Sequence, residues 1–255
     1  MRAPRETLWP FRDERGEGSI VFDPQAWPQT PDPALFDPAH WGTAAQPVAG
    51  GGRGAAWFVD APNGPMVLRH YLRGGWMARF SRDAFVWRGE SRVRSFQEFR
   101  LLQALHGLDL PVPVPLAAAY WRNGRHYRAA LLLRRIPGTR AFGRQVIEDA
   151  AAAPWAACGR LVARFHRAGL DHADLNADNL LFDGDGNGWM IDFDKSGLRN
   201  DDGWAWRTRN LARLQRSLHK LAGAGAAGAV DAGFARLRAA YDQAMGAAPL
   251  PGATA

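Results

Sequence analysis

The stretch from His172 to Asp194 constrains the chain more than any other. It opens on His172-Ala173-Asp174-Leu175-Asn176-Ala177-Asp178-Asn179 and closes on Asp192-Phe193-Asp194, thirteen residues after Asn179. Between them, residues 180–182 and 189–191 are short apolar runs around a turn of Asp, Gly and Asn at 183–188. They read as two short strands. Residues 171–194 hold seven aspartates and no lysine or arginine. The flanks are basic. Residues 120–144 carry seven arginines and no acid, and residues 195–220 carry seven bases against Asp201 and Asp202. Such an arrangement suits a multivalent anion with its metal, carboxylates holding the cation and arginines the anion. Ordinary solvated surface charge is the other reading.

The rest of the chain frames this stretch. Residues 1–46 are rich in Pro and Asp and are expected as an irregular N-terminal arm. Residues 55–59 and 66–71 read as strands around Pro62-Asn63-Gly64-Pro65. Phe96, Phe99, Leu102 and Leu105 recur at helical spacing from Ser95 until Gly107 stops them. Residues 116–121 and 127–133 flank Asn123-Gly124, a hairpin signal. Pro137-Gly138 then breaks the chain, and the texture turns helical, over 155–168, 204–222 and 229–245. Strands with one helix, a break, then mostly helices predict an α+β fold in two lobes. The expected division is an arm over 1–46, an N-lobe over 47–136 and a C-lobe over 137–255.

In phosphoryl transfer an Asp accepts the attacking hydroxyl's proton, while an Asn and a second Asp hold magnesium against the phosphates. Asp174, Asn179 and Asp192 stand in the order and spacing of those slots, H-x-D-L-x-x-x-N and D-F-x. Each piece alone is no more than a turn; the set is specific. Gly50, Gly51, Gly52, Arg53 and Gly54 precede a strand, where a glycine-rich phosphate cover would lie, with an ordinary flexible loop as the equal alternative. The next strand should end in a phosphate-pairing lysine. It cannot, because Lys195 and Lys220 are the only lysines among 32 basic residues. Arg69 stands there instead, with charge and fork but no ammonium point charge. Glu98 is its natural partner from the following helix. Ser95-x-x-Glu98 is equally a capping box, which would use Glu98 on its own helix.

With these residues in view, the sequence resembles the bacterial 3-deoxy-D-manno-octulosonic acid (Kdo) kinases, a branch of the protein-kinase-like superfamily that works on the lipopolysaccharide core. The resemblance rests on Leu68-Arg69-His70-Tyr71 with Arg73-Gly74-Gly75, on 96–102 (FQEFRLL), on 172–181 (HADLNADNLL) and on Ile191-Asp192-Phe193-Asp194. Residues 210–214 with Arg216-Ser217-Leu218 complete it. It implies a bilobal kinase-like fold and transfer of the γ-phosphate of ATP to the 4-hydroxyl of Kdo on a lipid A precursor. Carried over by position, Asp174 is the catalytic base, and Asn179 and Asp192 are Mg2+ ligands. Arg69 fills the lysine slot with Glu98 as partner. Against the general kinase pattern, Ala173 replaces the arginine that would meet an activation-loop phosphate. Asp194 replaces a flexible glycine. No control by such a phosphate and no flipping metal loop are therefore expected.

An anionic glycolipid acceptor would suit Arg199, Arg207 and Arg209, just after the metal Asp. Trp204 and Trp206 are candidates for a membrane interface or a sugar face, with core packing as the alternative. Arg73, Arg79, Arg82 and Trp76 would face anionic lipid. Trp57 is expected under the glycine loop, and His166 and Cys158 as buried structural groups. The net charge of +7 points to an anionic partner. The sequence carries no defensible nucleic-acid motif, so a nucleotide and a glycolipid are preferred to nucleic acid. One cysteine among 255 residues excludes an internal disulfide and a cysteine-based zinc site. No run of about 18 apolar residues and no signal-peptide core are visible. The expected place is the cytoplasmic face of the bacterial inner membrane, held peripherally. A heptose, aminoglycoside or protein kinase and a non-catalytic nucleotide-binding module remain the competing readings.

Overall fold

In the computed structural model, residues 6–48, 56–72, 84–201 and 203–246 are described. The expected glycine loop, Gly50 to Gly54, and the basic group Arg73, Trp76, Arg79 and Arg82 lie outside them. The chain divides into two compact units. One comprises Arg2–Ala104 and Pro113–Arg135; the other Leu105–Val112 and Ile136–Ala255.

The first unit is built on a hairpin. Gly124 takes a positive φ of 58° at the Asn-Gly turn, which few residues with a Cβ tolerate. The turn joins β7 (Pro115–Asn123) to β8 (His126–Arg134), numbering strands along the chain. Both strands are nearly continuous buried runs, as a strand covered on both faces should be. On one face Ile20, Phe22, Phe36, Leu68, Leu116 and Leu132 form a core. Against the sheet lies α1 (Arg94–Gly107). Its Phe96 meets the Tyr120 ring at 5.4 Å, and Ser95 Oγ donates to the Ala119 carbonyl at 3.0 Å.

The arm expected over 1–46 is a correction. It contributes β1 (Thr7–Asp13) and β2 (Gly16–Phe22), paired antiparallel, with β2 in turn paired to β7. Two 3-10 segments, Pro33–Phe36 and Pro38–Ala44, lead into β3 (Ala45–Pro47). Then come β4 (Ala56–Ala61), β5 (Gly64–His70) and the short β6 (Phe85–Val86). Among the described residues the order is β1-β2-β7-β8-β5-β4-β3, with β6 also on β8. Trp57, on β4, stacks edge-on against His70 with ring centroids 4.9 Å apart.

The second unit is mainly helical. Its helices are α2 (Phe142–Glu148), α3 (Trp155–Arg167), α4 (Trp204–Ala222) and α5 (Ala227–Gly246). The α3–α5 contact is close because two glycines permit it. A Cβ on Gly159 would lie 2.1 Å from the Leu237 carbonyl oxygen, and one on Gly233 would strike the Trp155 ring. Short strands fill the gaps: β9 (Arg140–Ala141), β11 (Leu180–Phe182) and β12 (Gly188–Met190) in one sheet, β10 (Leu170–Asp171) with β13 (Gly197–Leu198) in another. An antiparallel sheet in the N-terminal part and helices in the C-terminal part give the α+β, kinase-like class.

Candidate active site

The β11–β12 hairpin brings the two polar loops together. Leu180 pairs with Met190. One step outward, the Ile191 N–H donates to the Asn179 carbonyl at 3.0 Å. Asn179 and Asp192 therefore end adjacent strands at the same edge of one strand pair.

The loop before β11 is shaped by its own side chains. Asn176 Oδ1 accepts from the N–H groups of Asp178 (2.9 Å) and Asn179 (3.2 Å), capping the short 3-10 turn Ala177–Asn179. The amide of Asn176 donates back to the Asp174 carboxylate and carbonyl. Asn179 Nδ2 donates to the Asp174 carbonyl at 3.0 Å. That fixes the amide and leaves Asn179 Oδ1 with no donor among the described residues, although Asn179 is only 8% exposed.

His172 ties this loop to the next. The Asp174 N–H donates to its Nδ1 at 3.2 Å, so Nε2 carries the proton and donates to the Ile191 carbonyl at 3.1 Å. Burial holds this imidazole below its ordinary pKa, consistent with a neutral ring saturated by those two bonds. Its ring packs on Phe193, which is buried. Asp192 takes a positive φ of 63°, uncommon for a residue with a side chain and frequent at functional loops. The Ser196 N–H closes a turn on the Phe193 carbonyl at 2.9 Å, and Ser196 Oγ accepts from the Ala173 N–H at 3.0 Å. The two loops thus share a hydrogen-bonded frame.

One face of α4 completes the frame. Asn210, Arg213 and Ser217 recur at helical spacing. Asn210 Oδ1 accepts from the His172 N–H at 3.1 Å, and its Nδ2 donates to Asp171 at 3.0 Å. Ser217 Oγ accepts from the Ala177 N–H at 3.0 Å. Arg213 Nη1 contacts Asp174 Oδ1. The sequence reading assigned these three no role. Their signals are polar recurrence along one helical face, which a solvated face shares, and their place in the 210–218 stretch that carries the family resemblance.

Beside this frame lies a cleft of about 640 Å³. Lys195, Arg199, Arg209, Arg213 and Arg216 line it against Asp171 and Asp201. Arg199 and Arg209 both donate to Asp171, at 2.8 Å and 3.0 Å. Arg207, grouped with them in the sequence, is a correction. It is buried, with its guanidinium 4.7 Å from the Trp206 ring centroid and Nη2 3.4 Å from the His166 carbonyl. Two residues apart on α4, Arg207 and Arg209 lie about 200° apart around the helix and so face opposite sides. Trp206 is buried too and donates to Asp201, whereas Trp204 is 56% exposed.

In the sheet unit, Arg69 at the end of β5 reaches Glu98 on α1, Nη2 to Oε2 at 2.6 Å. The Tyr71 hydroxyl donates to the same oxygen at 2.5 Å. Glu98 is buried and Arg69 largely so. The capping-box reading fails because Ser95 lies inside the helix and spends its hydroxyl on Ala119. Cys158 is fully buried, and burial pushes its thiol up. His166 shares a 2.8 Å hydrogen bond with the Tyr241 hydroxyl inside the α3–α5 packing.

A sheet unit with a buried arginine–glutamate pair, followed by a helical unit whose two polar loops end one hairpin, belongs to the kinase-like class. Comparison with known proteins narrows this. Residues 39–241 match the model of the lipopolysaccharide kinase (Kdo/WaaP) family. The chain is 55% identical over 239 residues to a protein of Stenotrophomonas maltophilia (strain K279a) named 3-deoxy-D-manno-octulosonic acid kinase, covering 94% of this chain and 95% of that one. A protein of the same name from Xanthomonas axonopodis pv. citri (strain 306) is 54% identical over 241 residues, covering 94% and 96%. The chain belongs to the lipopolysaccharide kinase (Kdo/WaaP) family. It is a phosphotransferase, and as a kinase it uses ATP.

Proposed function

We propose that this kinase transfers the γ-phosphate of ATP to the 4-hydroxyl of Kdo on a Kdo-lipid A precursor, at the cytoplasmic face of the bacterial inner membrane. The observation that carries the reading is the frame around His172, which holds Asp174 and the start of the Asp192 loop together beside a cationic cleft. The names of the relatives support the acceptor.

In this reading the acceptor oxygen bonds to the γ-phosphorus, the bond to ADP breaks, and the hydroxyl proton passes to Asp174. Asn179 Oδ1 and the Asp192 carboxylate are hard oxygen donors of the kind that would hold Mg2+. Among the described residues no group of three or more His, Cys, Asp or Glu is gathered to hold a metal, so Mg2+ would rest on these two donors together with the nucleotide. When bound, Mg2+ neutralises charge on the β and γ phosphates. Arg69, oriented by Glu98, pairs the nucleotide phosphates. Arg199 and Arg209 receive the acceptor's anionic groups by bidentate contacts. Among the described residues no helix is long and apolar enough to cross a membrane. Exposed Leu198, which lines the cleft, and exposed Trp204 favour peripheral contact with lipid.

The test offers purified protein, ATP and Mg2+ three acceptors: Kdo-lipid A precursor, the same lipid without Kdo, and a generic protein. Phosphate is expected on the Kdo-bearing lipid alone; transfer to another acceptor, or to none, overturns the assignment. Asp174→Asn should lower turnover by roughly two to four orders of magnitude while ATP binding stays within about twofold. Equal loss of both would make Asp174 structural.

A further inference from the structure

Asp174 does not stand free in this structure. Its Oδ1 is in contact with Arg213 Nη1, and its Oδ2 accepts from Asn176 at 3.3 Å. Asp174 is Arg213's sole hydrogen-bond or ion-pair partner among the described residues, and both side chains are about half exposed. Arg213 also lines the cationic cleft. It is flanked there by Arg209, which is held by Asp171, and by Arg216, which makes no ion pair among the described residues. Lys195, across the cleft, makes none either. A base whose oxygen is covered by a guanidinium is poorly placed to receive a proton from an incoming hydroxyl. A second anion entering beside Arg216 and Lys195 would compete for the same guanidinium, because its fork serves any carboxylate or phosphate oxygen.

We propose that Arg213 is a positioning residue that latches Asp174 until the acceptor's own anionic group draws the guanidinium into the cleft. The latch makes transfer conditional on a charged acceptor and suppresses transfer to water. In that side reaction water's oxygen bonds to the γ-phosphorus, the bond to ADP breaks, and the proton goes to the same Asp174. A neutral acceptor leaves Arg213 on Asp174 and meets a covered base. An anionic acceptor exposes the base as it binds. The idea rests on the assignment of Asp174 as base and of the cleft as acceptor site.

The experiment compares wild type, Arg213→Gln and Arg216→Gln in two assays. One measures ATP hydrolysis with no acceptor. The other measures kcat/KM for Kdo-lipid A precursor and for the same lipid with the Kdo carboxylate methyl-esterified. Wild type should prefer the charged acceptor by about tenfold or more, the scale of one close charge pair. Arg213→Gln should bring that ratio within about twofold and raise hydrolysis severalfold, both following from loss of the latching charge. Arg216→Gln should raise KM for the charged lipid without raising hydrolysis. A wild-type ratio or wild-type hydrolysis in Arg213→Gln overturns the latch. If that variant does not fold, as read by its thermal melt, Arg213→Met takes its place with the same outcomes required. Should wild type phosphorylate neither lipid, the acceptor assignment falls, and the hydrolysis of Arg213→Gln alone decides on the latch.

Discussion

Arg69 shows how a single substitution of residue type propagates. A lysine in its slot would present one ammonium. A guanidinium presents a fork of donors, so in the proposed role it can hold Glu98 and reach phosphate oxygens as well. Glu98 in turn is buried and accepts from Arg69 and from Tyr71, which keeps its charge compensated. Arg69→Lys keeps the charge and loses the fork, so the ammonium is pulled towards Glu98. The expected result is a KM for ATP raised by about tenfold, one lost charge-assisted bond, with kcat little changed. Glu98→Ala is different in kind. It removes the buried carboxylate that Arg69 and Tyr71 both hold, a loss of about 3–5 kcal/mol. Thermal melts of the two variants separate the roles: Glu98→Ala should melt roughly 10 °C below wild type and Arg69→Lys within a few degrees of it. If Arg69→Lys melts as low as Glu98→Ala, the pair is structural and the nucleotide role is lost.

At the scale of elements, legibility followed how much of each pattern was local. Helix α1 and the β7–β8 hairpin were readable because Phe96, Phe99, Leu102 and Leu105 share one face and Asn123-Gly124 sets its own turn. Helix α4 was readable end to end, with Trp204 to Ala222 the observed bounds. The first two strands were not. Their segment carries Pro10, Gly16 and Gly18, and β1 lies exposed at the sheet edge, so pairing rather than alternation defines it. Helix α2 has seven residues and no side-chain cap, too little for a periodicity. The proposed catalytic slots rest on spacing along the chain, whereas the supports on α4 depend on which way the helix faces, and that is decided by tertiary packing. Asn210 is the sharpest case. Buried, it accepts from the His172 N–H and donates to Asp171. Asn210→Ala leaves that buried N–H unpaired, costing about 1–3 kcal/mol, and frees the backbone at the head of the loop over residues 172–179. We expect kcat to fall at least tenfold, about 1.4 kcal/mol of transition-state stabilisation, with KM for ATP nearly unchanged. Asn210→Asp should not rescue it, since a carboxylate cannot donate to Asp171. Full activity in Asn210→Asp would show that the helix contact is dispensable.

For the whole molecule, charge is arranged in two tiers. Among the described residues Lys195, Arg199, Arg209, Arg213 and Arg216 line the cleft, whereas the buried histidines are kept neutral. The histidines belong to the second tier. Burial pushes His166 down to about 3, against a smaller opposing hydrogen-bond contribution, with Arg207 close by disfavouring a proton further. Burial lowers His172 as well. Above pH about 6.5 both imidazoles are neutral in the folded and unfolded chains, and they add no pH dependence. Below it the unfolded chain takes up protons that the folded chain refuses. Stability present above that value is therefore lost as pH falls towards the folded values. The slope is up to about 1.4 kcal/mol per pH unit for each ring. Melting midpoints should drop steadily from pH 7 to pH 5. His166→Gln, less stable at pH 7 through loss of its bond to Tyr241, should show a slope shallower by about one proton over that range. Two parallel curves would mean that His166 takes up its proton in the folded state.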